Sequence, residues 1–154
     1  MRLYFAFGAN MDIAGMSRRC PTAEAVGAAR LDNHRFAIVQ PGFATVIEAR
    51  GETVHGVLWR LGSRDINVLD AYENISSGLY GRAEKPVRHG VRTLRALTYF
   101  VVAPQPGRPK PGYLEDCVLP AARHWKLPET YIRSLEAFVV APGARTPWSV
   151  TKPV

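Results

Sequence analysis

The chain opens on an apolar run, Leu3 to Phe7, that stops at Gly8-Ala9-Asn10, so a buried strand passes into a tight loop. Met11 to Arg19 suits a short helix halted by Pro21. Ala25–Leu31 and Arg35–Val39 read as two strands, with Asp32-Asn33 as the turn between them. Pro41-Gly42 breaks the chain, and Ala44–Glu48 and Val54–Leu61 follow as further strands. In the second of these, Val57, Trp59 and Leu61 alternate with Leu58 and Arg60, which is the period of a half-buried strand. Ser63 to Glu73 is a helix with Ser63 as its cap. Asn74 to Gly78 is a loop, and Leu79–Val87 and Leu94–Val102 form a hairpin around an Arg88–Thr93 turn. Ala103 to Gly112 holds four prolines and two glycines and reads as a wrapping loop. Two helices complete the pattern, Tyr113–Trp125 and Pro128–Val139, with Pro128 near the first turn of the second. About six strands with helices between and after them predict a single α+β domain over residues 1–141. Its centre is a small curled or barrel-like mixed β-sheet with surrounding helices. Residues 142–154 read as an extended tail.

One residue breaks the pattern. Ile66, Leu69 and Glu73 share one stripe of the Ser63–Glu73 helix, and that stripe should face the core. A carboxylate there is either paired or held in a pocket with a raised pKa, able to move protons near neutrality. The plainer reading is a salt bridge to one of the many arginines. Asp70 lies three residues earlier, close enough for each acid to raise the other's pKa, although a cap or brace for the following loop is the simpler role for it.

Composition narrows the field. The chain has 154 residues, 47% hydrophobic and 21% charged, as in an ordinary globular protein, and no apolar run has the length of a membrane span. Asn10 and Asp12 interrupt the N-terminal run before it resembles a leader, which predicts a cytoplasmic protein. Cys20 and Cys117 form no C-x-x-C pair and read as reduced thiols, and His34, His55, His89 and His124 lack zinc-ligand spacing. The formal net charge of +7 is dispersed over Arg18, Arg19, Arg82, Lys85, Arg88, Arg92, Arg95, Arg108 and Lys110 among others, and reads first as a solvated surface. There is no RNA- or DNA-binding motif, so nucleic acid is not expected as a partner.

Three clusters carry candidate chemistry. In Phe7-Gly8-Ala9-Asn10-Met11 the glycine lets the backbone turn sharply, and the N–H groups at the following helix start suit a carboxylate. The second cluster is Leu69 to Asn74, running on to Gly78-Leu79-Tyr80. The third is Pro111-Gly112-Tyr113, where the tyrosine either packs or presents its hydroxyl to a ligand.

Together these clusters resemble the gamma-glutamylcyclotransferase-like family. Its Tyr-Gly-Ser-Asn signature after an aromatic strand is matched by Tyr4-Phe5-Ala6-Phe7-Gly8-Ala9-Asn10-Met11. Its Leu-Asp-x-x-Glu-Gly followed by Gly-x-Tyr is matched by Leu69-Asp70-Ala71-Tyr72-Glu73-Asn74 and Gly78-Leu79-Tyr80. Gly-Val-x-Trp appears as Gly56-Val57-Leu58-Trp59, and the later Tyr and Leu-Pro-x-x-Tyr as Tyr113 and Leu127-Pro128-Glu129-Thr130-Tyr131. The likeness spans residues 3–137.

The resemblance implies a barrel-like fold and a cofactor-free, metal-free reaction on a small γ-glutamyl substrate, in a monomer or homodimer. The substrate's α-amine attacks its own γ-carbonyl and releases 5-oxoproline and an amine. It implies Glu73 as the catalytic acid and base, Phe7, Gly8, Ala9 and Asn10 as the glutamyl-anchoring loop, and Tyr80 and Tyr113 as substrate-facing tyrosines. Tyr72 and Tyr80 would supply a partly apolar wall. Phe7 and Ala9 replace the signature Tyr and Ser and lose two hydroxyls, and Asn74 replaces a Gly. The leaving group is open between an amino acid, a dipeptide as in glutathione, the ε-amine of lysine and a larger amine, with loop 103–112 expected to shape that side of the pocket. Two other readings stand beside this one: a related enzyme acting on a specialised γ-glutamyl amine, and a non-catalytic basic binding protein that has kept the pocket.

Overall fold

The computed structural model describes residues 2–73 and 75–140; Asn74 and the expected tail 142–154 lie outside the described residues. Five strands close a barrel: β1 (Arg2–Ala6), β2 (Glu24–Val39), β3 (Phe43–Leu61), β4 (Tyr80–His89) and β5 (Arg92–Val101). Around the barrel the order is β1-β3-β2-β4-β5. β1 lies antiparallel to β3 and parallel to β5, meeting the latter where Tyr4 opposes Leu97. The expected curled α+β sheet is therefore a closed mixed barrel.

The strand count differs from the sequence reading because two pairs of expected strands are each continuous. Ala25–Leu31 and Arg35–Val39 are one strand, β2, and Ala44–Glu48 and Val54–Leu61 are one strand, β3. The pairing of β2 with β3 runs from Glu24 opposite Arg60 to Val39 opposite Phe43. At Asp32-Asn33 the register shifts by a bulge instead of reversing. Asn33 takes a left-handed backbone (φ 59°), and its side-chain oxygen accepts from Gly51 N at 3.0 Å. An Asn suited to a turn is equally suited to a bulge when a long partner strand spans it.

Gly56 marks the tightest approach of β1 to β3, since a Cβ there would stand 2.2 Å from the Ala6 carbonyl oxygen. Among the described residues no helix is long and apolar enough to cross a membrane.

Among the described residues four α-helices pack outside the barrel: α1 (Ile13–Arg19), α2 (Ser63–Tyr72), α3 (Leu119–His124) and α4 (Glu129–Val140). The cap of α2 is Gly62, not Ser63. The buried Asp65 reaches back to accept from Gly62 N at 2.9 Å and also takes the Thr22 hydroxyl at 2.9 Å, so the cap comes from inside the helix. The expected helix Tyr113–Trp125 begins instead as a π-helical turn, Tyr113–Val118, that tightens into α3. Pro120 has no N–H to close an α turn on Asp116, which favours the wider turn before it. Phe5, Met11, Met16, Leu58, Leu69, Leu97, Leu114 and Leu135 are fully buried and join barrel and helices into one core.

Candidate active site

At the end of β1 the chain enters the loop expected to anchor the glutamyl group. Met11 N donates to Gly8 O at 3.1 Å and Asp12 N to Ala9 O at 3.1 Å, a single 3-10 turn that leads into α1. Two indoles pin this turn: Trp59 Nε1 donates to Asn10 O at 3.0 Å, and Trp125 Nε1 to Met11 O at 2.8 Å. Trp59 is the last residue of the Gly-Val-x-Trp stretch, so that motif's indole holds the loop in place. Asn10 is buried, and both ends of its amide are engaged: Nδ2 donates to Tyr4 Oη at 3.0 Å, and Oδ1 accepts from Arg19 Nη2.

Glu73 ends α2 as its C-cap, with its N–H donating to Leu69 O at 2.8 Å. Leu69 is fully buried, Ile66 packs on the core, and Glu73 continues that face into a cavity. No described residue forms a hydrogen bond or ion pair with its carboxylate, and burial pushes its pKa up to about 7 against the pull of the Arg19 cation. The cause is burial rather than a neighbouring acid. Asp70 points elsewhere: it accepts from Tyr99 Oη at 2.6 Å and pairs with Arg82 Nη1 at 2.8 Å. It braces α2 against β4 and β5.

The cavity encloses about 340 Å³ and is lined by all seven expected site residues: Phe7, Gly8, Ala9, Asn10, Glu73, Tyr80 and Tyr113. Gly112, at φ 82°, turns the chain so that Tyr113 enters the barrel mouth. The Tyr113 hydroxyl accepts from Ala44 N at 3.3 Å, and its ring stands edge-on to Phe43 at 5.2 Å. Burial keeps that phenol protonated, so its own proton is available to a ligand.

Tyr4, Pro41, Phe43, Ala44, Leu79 and Tyr99 also line the cavity and were not picked out from sequence; Tyr72 lines it as expected. The alternation of β5 places Tyr99 on an interior face, but nothing local says that this face meets a cavity. Tyr72 and Leu79 form an exposed lip.

Loop 103–112 contributes none of the lining. It buttresses the Pro41–Phe43 wall from outside, through Gln40 N to Gln105 O at 2.9 Å, Lys110 N to Gly42 O at 3.0 Å and the Lys110 ammonium 5.7 Å from the Phe43 ring centre. Among the described residues no group of three His, Cys, Asp or Glu side chains is placed to hold a metal ion.

The AIG2-like family model matches residues 53–135. Gamma-glutamylcyclotransferase of Mus musculus is 30% identical over 147 residues, covering 88% of this chain and 77% of the relative. The chain belongs to the gamma-glutamylcyclotransferase-like family. The family's Homo sapiens gamma-glutamylcyclotransferase is 27% identical over 146 residues, with the same coverage of 88% and 77%. A solved structure of gamma-glutamyl cyclotransferase superposes with a TM-score of 0.83 at 26% identity, covering 88% of this chain and 86% of that one. The barrel and its helices are thus the family's fold.

Proposed function

We propose that the cavity cyclises γ-glutamyl amides or peptides to 5-oxoproline and a free amine, with Glu73 as the proton carrier. The observation that carries this reading is an unpaired, half-buried carboxyl with a pKa of about 7, in the same cavity as the Gly8 loop. The reacting amine and carbonyl belong to one molecule, so the protein's main task is to hold the glutamyl chain folded for ring closure. Glu73 as carboxylate takes a proton from the substrate α-ammonium. The freed lone pair attacks the γ-carbonyl carbon and forms the ring N–C bond. Collapse of the tetrahedral intermediate breaks the old C–N bond as protonated Glu73 delivers its proton to the leaving nitrogen. The ring nitrogen passes its second proton through the regenerated carboxylate to the departing amine, which leaves as an ammonium. A pKa close to working pH serves both halves.

Backbone N–H groups of Gly8 and Ala9 suit the glutamyl α-carboxylate, and the Tyr113 hydroxyl suits the oxyanion. The side chain of Asn10 is held by Tyr4 and Arg19, which leaves one Nδ2 hydrogen and one Oδ1 lone pair for a ligand. The Tyr99 phenol donates to Asp70 and offers the cavity only acceptor lone pairs.

The test is 5-oxoproline release from a panel of γ-glutamyl amino acids, γ-glutamyl-lysine isopeptide and glutathione, with Glu73→Gln in parallel. Release by the wild type and loss in the variant is the expected result, and the best substrate names the leaving group. Equal release by both proteins would remove Glu73 from the mechanism. No release from any compound would move the site to another acylated amine or to a binding role.

A further inference from the structure

Arg19 stands in the last turn of α1 and is not part of the cavity wall, yet three contacts tie it to residues that are. Its Nη2 donates to Asn10 Oδ1. Its guanidinium lies 4.6 Å from the centre of the Tyr72 ring. Its positive charge also reaches the Glu73 carboxyl. Asn10, Tyr72 and Glu73 are brought together from the anchor loop and the end of α2, so Arg19 is the point at which those two halves of the site meet.

The placement is costly. Arg19 is half-buried, forms no ion pair with any described residue, and leaves a buried Nε without a hydrogen-bond partner. A buried unpaired donor of this kind is destabilising. Glu73 is likewise half-buried, and its carboxyl takes no hydrogen bond from any described residue. Neither group has an ion-pair partner among the described residues, and the charge of Arg19 favours the Glu73 carboxylate.

We propose that Arg19 is the positioning residue of this cavity: from behind the wall it fixes Asn10 and Tyr72 and supplies the countercharge for the Glu73 carboxylate. The inference rests on the reading of Glu73 as the proton carrier. The other titratable side chains that line the cavity with Glu73 are Tyr4 on β1, Tyr80 on β4, Tyr99 on β5, Tyr113 on the π-helical turn and Tyr72 on α2, all phenols. Around Arg19 lie Asp12, whose Oδ2 caps α1 at Gly15 N, and the two thiols Cys20 and Cys117. Asp70 and Arg82 pair with one another. Arg19 is the cation that favours the Glu73 carboxylate against its burial.

Removing the cation disfavours the carboxylate, so the Glu73 titration moves to higher pH. The experiment compares wild type, Arg19→Met and Arg19→Lys. It follows the Glu73 carboxyl carbon by NMR, assigned with Glu73→Gln, and the pH profile of kcat/KM for 5-oxoproline release. In Arg19→Met both the titration midpoint and the acidic limb are expected about one pH unit higher. Below both midpoints the ionised fraction, and with it kcat/KM, falls about tenfold. Arg19→Lys keeps the charge and loses the fork, so its acidic limb stays near wild type while KM rises.

A purely structural role would lower kcat/KM equally at all pH values and leave the midpoint in place, and that result overturns the proposal. If Arg19→Met does not fold, Arg19→Gln carries the same two readouts. The NMR titration needs no turnover, so the two ideas fail separately. An active Glu73→Gln sinks the proposed function and leaves Arg19 to be judged by the titration. An inactive Glu73→Gln with an unmoved titration in Arg19→Met sinks only this inference.

Discussion

The hydroxyl of Tyr113 lies 2.6 Å from the point where a Cβ on Gly8 would stand, so the anchor loop and the π-helical turn meet with no room for a methyl group. Gly8→Ala should push the Tyr113 hydroxyl away from Ala44 N and lower kcat/KM for 5-oxoproline release by ~10–100-fold. If the collision is the cause, Tyr113→Phe relieves it. The double variant should then be no less stable than Tyr113→Phe alone in thermal melts. Additive destabilisation would place the defect in the backbone of Gly8.

Glu73 weakens the fold at neutral pH. Its folded pKa of about 7 stands above the ordinary 4.5, so the native state binds the proton more tightly than the unfolded chain. Stability from this group is full below the ordinary value and falls as pH rises to the folded value. Glu73→Gln should therefore raise Tm at about pH 8, by the equivalent of roughly 2–3 kcal/mol, and change it little at about pH 4. Equal melting of the two proteins across that range would show that the carboxyl is not held in the protonated form.

His34 has the opposite slope. It is buried, its Nδ1 contacts Asp32 O at 2.9 Å, and its Nε2 is buried without a partner. Burial depresses its pKa below the ordinary 6.5. The stability tied to its neutral form is fully present above the ordinary value and is lost as pH falls through the lower folded value. His34→Gln should flatten the loss of Tm on acidification below about pH 6.5, without altering the acidic limb of turnover. A variant as acid-sensitive as wild type would assign acid unfolding to other groups.

Gly56→Ala should be among the most damaging single-methyl changes in the chain. The added carbon would meet the Ala6 carbonyl oxygen at 2.2 Å and the Phe5 ring at 2.9 Å, both in β1. β1 must separate from β3 to admit it, at about 1–3 kcal/mol or more. Urea titration would measure this, with Gly90→Ala, where no atom lies within 4 Å of the new carbon, as the comparison for strain at φ 60° alone.

Much of this geometry could be read from residue order. The out-of-pattern carboxylate at Glu73, the Gly8 loop and the Tyr113 turn all rest on local chemistry, and the barrel brings them to one cavity. What the sequence concealed depends on partners distant in the chain. Asn33 reads as a turn because a strand of β3's length, which converts that turn to a bulge, cannot be inferred from a short window. Ser63 reads as a cap because the competing acceptor, Asp65, gains its hold only when buried beside Thr22. Loop 103–112 looks like a pocket wall by composition but sits one layer further out. Arg19 gave no signal, since a cation in the last turn of a helix ordinarily answers the helix dipole.

The seat of β1 between β3 and β5 has a consequence for how this protein fails. The strand that completes the barrel is the same one that carries the Gly8 loop, so loosening the N-terminal end opens the wall and disperses the site in a single event. Loss of protease resistance and loss of turnover should coincide across variants of β1, and such variants would be cleared as unfolded chains.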